Sequence, residues 1–333
     1  MRMLFWLAFA AGLAWLLWYM TGVPGASYRA APPPLSAEER DSEARLRRHV
    51  EAIGARERNL GRPQALEAAA RYLEAELGTL GYAPSAQRFA VGEAEVRNIE
   101  AELPGGARAG EVIVLGAHYD SVFGSPGAND IGSGVAALLE LARLLRGAAH
   151  ERSLRFVFFV NEEPPYFKSE AMGSVHYARR ARERGENIVA MFSLETLGYY
   201  SEQPASQRYP FPLGFFYPAE GNFVAFVSNL GSRALLHQAI AAFRRHAAFP
   251  SEGVAAPAIV PGIDWSDHWA FWRSGYPAVM LTDTAPYRYP HYHRASDTPD
   301  KVDTERLARL VSGLRAMLGE LAGLGAAAAR APA

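Results

Sequence analysis

The chain has 333 residues, enough for one large domain or two ordinary ones, and 49% of them are hydrophobic, which excludes a disordered polypeptide. Its 34 Lys and Arg balance 35 Asp and Glu, so no net field recruits a polyanion and no nucleic-acid partner is expected. The absence of cysteine removes disulfides, thiolate metal sites and a cysteine nucleophile together, leaving His, Asp and Glu to hold any metal.

The first element is the uncharged run "MLFWLAFAAGLAWLLWYM", Met3 to Met20. Its length lies in the roughly 17 to 25 residues that a membrane-spanning helix needs. Trp18 and Tyr19 stand where an interfacial belt would. Residues 1–21 therefore read as a transmembrane signal-anchor. The rival is a cleaved secretory signal, because Gly22, Gly25, Ala26 and Ser27 follow. Arg2 is the only charged side chain ahead of the run, which keeps the N-terminus cytoplasmic and places the rest outside, periplasmic or extracellular, or secreted if the run is removed.

Residues 22–35, ending in "APPPL", read as a Pro-rich, semi-rigid linker. Ser36 and Glu39 have capping-box spacing, so the folded domain is expected over 36–325, with a frayed Ala-rich tail at 326–333. In "PQALEAAARYLEAEL" the residues Leu66, Ala69, Ala70, Leu73 and Leu77 fall on one helical face behind Pro63. From residue 84 onward short apolar runs predict strands: "AQRFAV", "VRNIEAEL", "EVIVLGAH", "LRFVFFV", "IVAMFSLE" and "PAVMLT".

Between residues 111 and 195 these runs alternate with helical stretches, "IGSGVAALLELARLL" and "AMGSVHYARRAR", and later "LHQAIAAFRRHA" and "DTERLARLVSGLRAMLGELAGL" add amphipathic helices. That alternation predicts an α/β domain around a largely parallel sheet. Residues 201–230 are rich in aromatics and proline, fit neither period, and read as an insertion over one end of the sheet.

Ligands of open α/β sheets bind beyond the carboxyl ends of the strands. Four predicted strands are followed by acids or imidazoles: His118 and Asp120, then Glu162 and Glu163, then Glu195, then His291 and His293. Asp130 sits in the glycine-rich stretch before a predicted helix. Each has an ordinary explanation alone: Asp130 as a helix cap, a lone histidine as a surface group, adjacent glutamates as a solvated loop. Together they are hard to leave uncompensated, because clustered carboxylates repel unless a cation lies among them. Two imidazoles and three or four carboxylates suit zinc, and suffice for two ions about 3.5 to 4 Å apart sharing one ligand. Periodicity does not choose between His291 and His293, whereas the spacing to "SDT" favours His293.

"GAHYDS", "GANDIGSGVAALLELAR", "FFVNEE", "MGSVHYA", "FSLETLGY", "SDHWAFWRSGYPAVML" and "HYHRASDT" occur in the order found in the M28 zinc peptidases, and residues 60–320 resemble that family. The resemblance implies a three-layer α/β/α sandwich around a mixed, mostly parallel sheet. It also implies Asp130 as bridging ligand, His118 and Glu195 on one zinc, Glu163 and His293 on the other, and Glu162 as general base. Asp120 would support His118, with Asp267 and His268 nearby, and a cis peptide is implied between Asp130 and Ile131.

Two departures stand out. Glu195 occupies a position where Asp is commoner, and "EEPPYFKSEAMGS" is longer than in many relatives. Two zinc ions per chain are expected, with a single-zinc site as the alternative. The implied activity is hydrolysis by an aminopeptidase acting on peptides with a free N-terminus. A glutaminyl cyclase with one zinc is the nearest rival, and a non-catalytic membrane-tethered ectodomain the next.

Overall fold

The computed structural model describes residues 1–323, so the predicted tail at 326–333 lies outside the described residues. Helix α1 (Arg2–Thr21) leaves its apolar side chains from Met3 to Leu16, and Trp18, exposed and buries only Met20. Among the described residues it is the one helix long and apolar enough to cross a membrane.

Residues 22–35 have no regular structure, yet they are not a free spacer. Arg244 donates to the carbonyls of Pro24 (3.0 Å) and Gly25 (2.8 Å), the Ser251 N–H donates to Ser27 Oγ, and Arg309 donates to the Pro33 carbonyl. The segment is strapped along the domain by side chains too distant in sequence to be anticipated from its composition.

Helix α2 (Ala37–Gly54) begins with the capping box: the Glu39 N–H donates to Ser36 Oγ at 3.1 Å and the Ser36 N–H to Glu39 Oε2 at 2.8 Å. Helix α3 (Pro63–Thr79) buries the five residues that its spacing singles out. The strands are β1 (Ser85–Val91), β2 (Ala94–Leu103), β3 (Arg108–His118), β4 (Arg152–Phe159), β5 (Asn187–Leu194), β6 (Val224–Ser228), β7 (Ser251–Ala255) and β8 (Ala278–Thr282). They form one sheet in the order β1-β2-β4-β3-β5-β8-β6-β7. The central β4-β3-β5-β8 block and the β6-β7 pair are parallel, while β1-β2, β2-β4 and β6-β8 are antiparallel.

Alternation along each strand feeds two cores. Ile113, Leu115 and Ala117 of β3 face one apolar cluster shared with α2, α3, α4 (Gly134–Leu145), α6 (Arg233–His246) and α9 (Thr304–Ala322). Val112 and Val114 face another, shared with α5 (Gly173–Glu183) and α7 (His268–Arg273). The short α8 (Ala285–Arg288) follows β8. Helices on both faces of a mixed sheet give the expected three-layer α/β/α architecture.

Two strands escape sequence reading. β6 is a short buried run inside the stretch read as the aromatic insertion, and β7 carries Glu252 and Gly253 in its five residues, so neither stands out as a strand. The irregular insertion consequently ends before Val224 rather than at residue 230.

Candidate metal centre

The parallel register of β3, β4 and β5 brings their carboxyl ends to one rim, with His118 paired to Phe159 and Gly116 to Ser193. His118 is the last residue of β3, and Glu195 follows β5 directly. Beyond β4, Asn161 adopts φ 60°, a left-handed conformation that Asn tolerates, and so breaks the strand's alternation. Adjacent Glu162 and Glu163 can then serve one site. The Asp120 carboxylate fixes this turn, accepting the N–H of Glu162 and of Glu163, both at 3.1 Å.

Asp130 lies in an irregular turn, Ala128–Ser133, ahead of α4 rather than at its first residue, and its peptide bond to Ile131 is cis. The turn is held by Asp297, whose Oδ1 accepts the Asn129 N–H (2.8 Å) and Oδ2 the Asp130 N–H (3.0 Å). The Tyr289 hydroxyl donates to Asp297 Oδ1 at 2.7 Å.

Donor atoms converge as two groups with Asp130 in common: His118, Asp130 and Glu195, and Asp130, Glu163 and His293, each within 4.8 Å. His118 Nε2 is 3.7 Å from Asp130 Oδ1 and 3.8 Å from Glu195 Oε2, and His293 Nε2 is 3.1 Å from Asp130 Oδ2 and 3.2 Å from Glu163 Oε2. Glu162 belongs to neither group, but its Oε2 is 3.6 Å from His118 Nε2. His118 Nδ1 faces Asp120 Oδ1 at 3.5 Å. Of the two candidate histidines, His293 joins the cluster, and His291 instead pairs through Nδ1 with Ser296 Oγ at 2.9 Å.

Asp267 is fully buried, and among the described residues neither of its oxygens accepts a hydrogen bond. His268 is buried with Nε2 2.8 Å from the Ile263 carbonyl oxygen, so it braces the loop before α7 and is not a member of either donor group.

The sequence reading missed several supports. The Ser266 hydroxyl donates to Glu195 Oε2 at 2.6 Å, and Tyr292 stacks on His293 with centroids 3.8 Å apart. Asp283 accepts from the Asn129 side chain (2.9 Å) and the Tyr199 N–H (2.8 Å). Arg58, wholly buried, donates to the carbonyls of Tyr119, Pro126 and Gly127 and so pins the loop after β3. Asp297 stands inside "SDT", Ser266 opens "SDHWAF" and Tyr292 lies in "HYHRASDT", so those motifs carried a signal for them, whereas Arg58 and Asp283 lie in none of the quoted motifs.

The electrostatics describe a cluster that wants positive charge. Burial pushes the Glu162 carboxyl well above its ordinary range; the His118 ring opposes this, and the Glu195 and Glu163 charges add to it. Burial and the Asp130 charge push Glu163 up to about 7. Burial opposes protonation of His293, but hydrogen bonds to Asp130 and Glu163 lift it to about 10. For Glu195 burial is again the largest influence, yet the His118 ring, the Ser266 hydroxyl and the Thr196 N–H outweigh it and hold the carboxyl below its usual value. Among the described residues, both His118 nitrogens and Glu163 Oε1 are buried without a hydrogen-bond partner. Orphaned nitrogen and oxygen donors around a shared carboxylate are what a divalent cation would satisfy, so the donor set fits a metal.

A largely apolar cavity of about 100 Å³ adjoins Glu195 and Tyr292 and is walled by Leu213, Tyr217, Phe223 and Met280. The aromatic insertion divides in two there. Tyr209 and Tyr217 stack, bond to the carbonyls of Pro218 and Gly253 and line the cavity, while Phe211, Phe215 and Phe216 are exposed.

The sequence profile of peptidase family M28 matches residues 98–318. Escherichia coli (strain K12) has a relative, uncharacterized protein YfbL, 36% identical over 263 residues, which are 76% of this chain and 80% of that protein. Aminopeptidase YwaD of Bacillus subtilis (strain 168) is 37% identical over 100 residues, 30% of this chain, and the match spans only 21% of YwaD. Among solved structures, BSAP, a zinc aminopeptidase from Bacillus subtilis, superposes with TM-score 0.67 at 16% identity, over 87% of this chain and 96% of that one. Glutaminyl cyclase from Macrostomum lignano gives TM-score 0.66 at 20% identity, over 92% and 99%. The two structures share the fold, and with the profile spanning most of the folded residues, the chain belongs to peptidase family M28 and is an aminopeptidase-like metallohydrolase.

Proposed function

We propose that this protein is a zinc aminopeptidase with a dinuclear site and Glu162 as general base. The observation that carries the reading is the sharing of Asp130 between two donor groups, with Glu162 3.6 Å from His118 and a member of neither. His118, Asp130 and Glu195 would hold one zinc, and Asp130, Glu163 and His293 the other. Bound there, zinc would polarise a scissile carbonyl and acidify water.

The chain's own residues account for the rest. Glu162, buried and raised in pKa, takes a proton from the attacking water and gives it to the leaving amine. Asp120 holds the backbone of both glutamates and faces His118 Nδ1, fixing three functional groups from one carboxylate. The surplus of buried carboxylates favours a substrate with a free, positively charged α-amino group. The cavity beside Glu195 favours an apolar first side chain. Helix α1 would anchor the protein, with residues 36–323 outside the cytoplasm.

The test is an assay of the full chain on aminoacyl p-nitroanilides and on peptides beginning with glutamine. Release of p-nitroaniline without pyroglutamate supports the peptidase. Cyclisation without hydrolysis would assign the chain to the cyclase chemistry instead.

A further inference from the structure

Single exposed apolar side chains are ordinary, but a group of them at one corner marks an interaction surface. Phe211, Phe215 and Ile259 are 87%, 80% and 89% exposed, and Phe216 and Trp265 are 44% and 41% exposed. Phe211 and Phe215 meet edge to face, 6.1 Å between centroids. The two segments that carry these residues are neighbours. The Arg208 N–H donates to the Tyr287 carbonyl, the Tyr287 hydroxyl donates to the Pro261 carbonyl, and Pro210, Leu213, Pro261 and Ile263 wall the same cavity.

The exit of α1 is fastened to this same corner. Met20 is buried in one apolar cluster with Leu213 and Ile263. A Cβ on Gly253 would stand 2.9 Å from Val23 Cγ1, so Val23 packs against the backbone whose carbonyl accepts the Tyr217 hydroxyl. Arg233 donates to the Tyr19 carbonyl at 2.8 Å and lies 4.0 Å over the Tyr19 ring. With Arg244 gripping Pro24 and Gly25, no slack chain separates the apolar helix from the insertion.

We propose that Phe211, Phe215, Phe216 and Ile259 seat in the interface of the bilayer that α1 enters, so that the cavity beside Glu195 opens at the lipid surface. The inference rests on the reading of α1 as a membrane anchor. Its partner is lipid because the exposed apolar helix α1 is joined to the aromatic patch where its buried end, Met20, packs in one cluster with Leu213, which stands between exposed Phe211 and Phe215 in the chain. Phe, like Trp and Leu, is a side chain that interfacial segments bury at the boundary between headgroup and acyl chain. N-termini presented at the membrane surface would then reach the site in preference to those in free solution.

Because the chain has no cysteine, single probes can be placed without background. Full-length Leu13→Cys, Phe215→Cys, Ile259→Cys and Glu93→Cys, each carrying an environment-sensitive fluorophore, are reconstituted in phosphatidylcholine vesicles with spin-labelled phosphatidylcholine. Glu93 lies in the turn after β1, at the opposite edge of the sheet from β7. Loss of emission and a blue shift at positions 215 and 259, with none at 93, is the expected result. No loss at 215 and 259 while position 13 is quenched overturns the inference and leaves the anchor intact. No loss at position 13 overturns the anchor reading itself. Equal loss at position 93 means general adsorption and also overturns the inference.

Discussion

The two donor groups that share Asp130 have the same chemistry and different construction. His118 and Glu195 stand at the ends of adjacent parallel strands, β3 and β5, where the backbone ladder sets their separation. Glu163 and His293 come from loops. His293 has φ 56°, keeps 30% of its side chain exposed, and is steadied by Tyr292 stacked on its ring. A ladder-built half has its geometry fixed by many hydrogen bonds at once. A loop-built half depends on a few side chains, such as Asp120 beneath the Glu163 backbone and Tyr292 on the His293 ring.

The comparison can be broken most severely at its common member. Asp130→Ala is expected to lose zinc from both positions and to drop hydrolysis to background, as read by metal analysis and nitroanilide release. Retention of one equivalent would mean that the halves are independent. Next, Glu162→Gln should lower kcat by about 10² to 10⁴ while zinc content stays unchanged, since a base removed is not a ligand removed. A fall in zinc would make Glu162 part of the first group.

The supports should separate the halves further. Asp297→Ala strands the Asn129 and Asp130 N–H groups and, because Asp130 is common to both groups, is expected to weaken metal affinity about 10- to 100-fold at both positions. Ser266→Ala removes one hydrogen bond from Glu195 and should cost about tenfold at the first position alone, the equivalent of about 1.4 kcal/mol. Metal titration of both variants reads the difference. A loss at both positions in Ser266→Ala would show that the ladder-built half does not keep its geometry independently of the loops.

The smallest effect lies in the scaffold beneath both halves. Burial lowers His49 to about 3 and His268 to about 4, so the folded chain binds fewer protons than the unfolded one below the ordinary histidine pKa of about 6.5. The stability these neutral rings support is complete above that value and is lost as pH falls from about 6.5 towards 3 to 4. His49→Gln, remote from the centre and bonded only to Tyr72 among the described residues, should flatten the dependence of melting temperature on pH over that window.

Much of this was legible in the chain. The apolar runs followed by "AHYD", "NEE" and "LET" mark strand ends bearing ligands, because a buried parallel strand must be apolar and its chemistry must wait until it emerges. The strands β6 and β7 were not, since β6 lies within the stretch whose aromatics and prolines were read as an insertion and β7 includes a charge and a glycine. The parts played by Arg58 and Ser266 were hidden for another reason. Their roles lie in hydrogen bonds to Gly127 and Glu195, 69 and 71 positions away, which no local pattern encodes.

The sequence by itself determined the family, the α/β class, the absence of thiol chemistry, the apolar N-terminal helix and the short set of acids and imidazoles from which a metal centre could be drawn. Only the tertiary structure decided that Asp297 cradles the turn that carries Asp130, that Arg58 pins the loop after β3, and that the supposed linker is strapped to the domain. Residue type and spacing record what each segment must bury. Which distant segments meet is settled by strand order and by hydrogen bonds that form only when the sheet has closed around them.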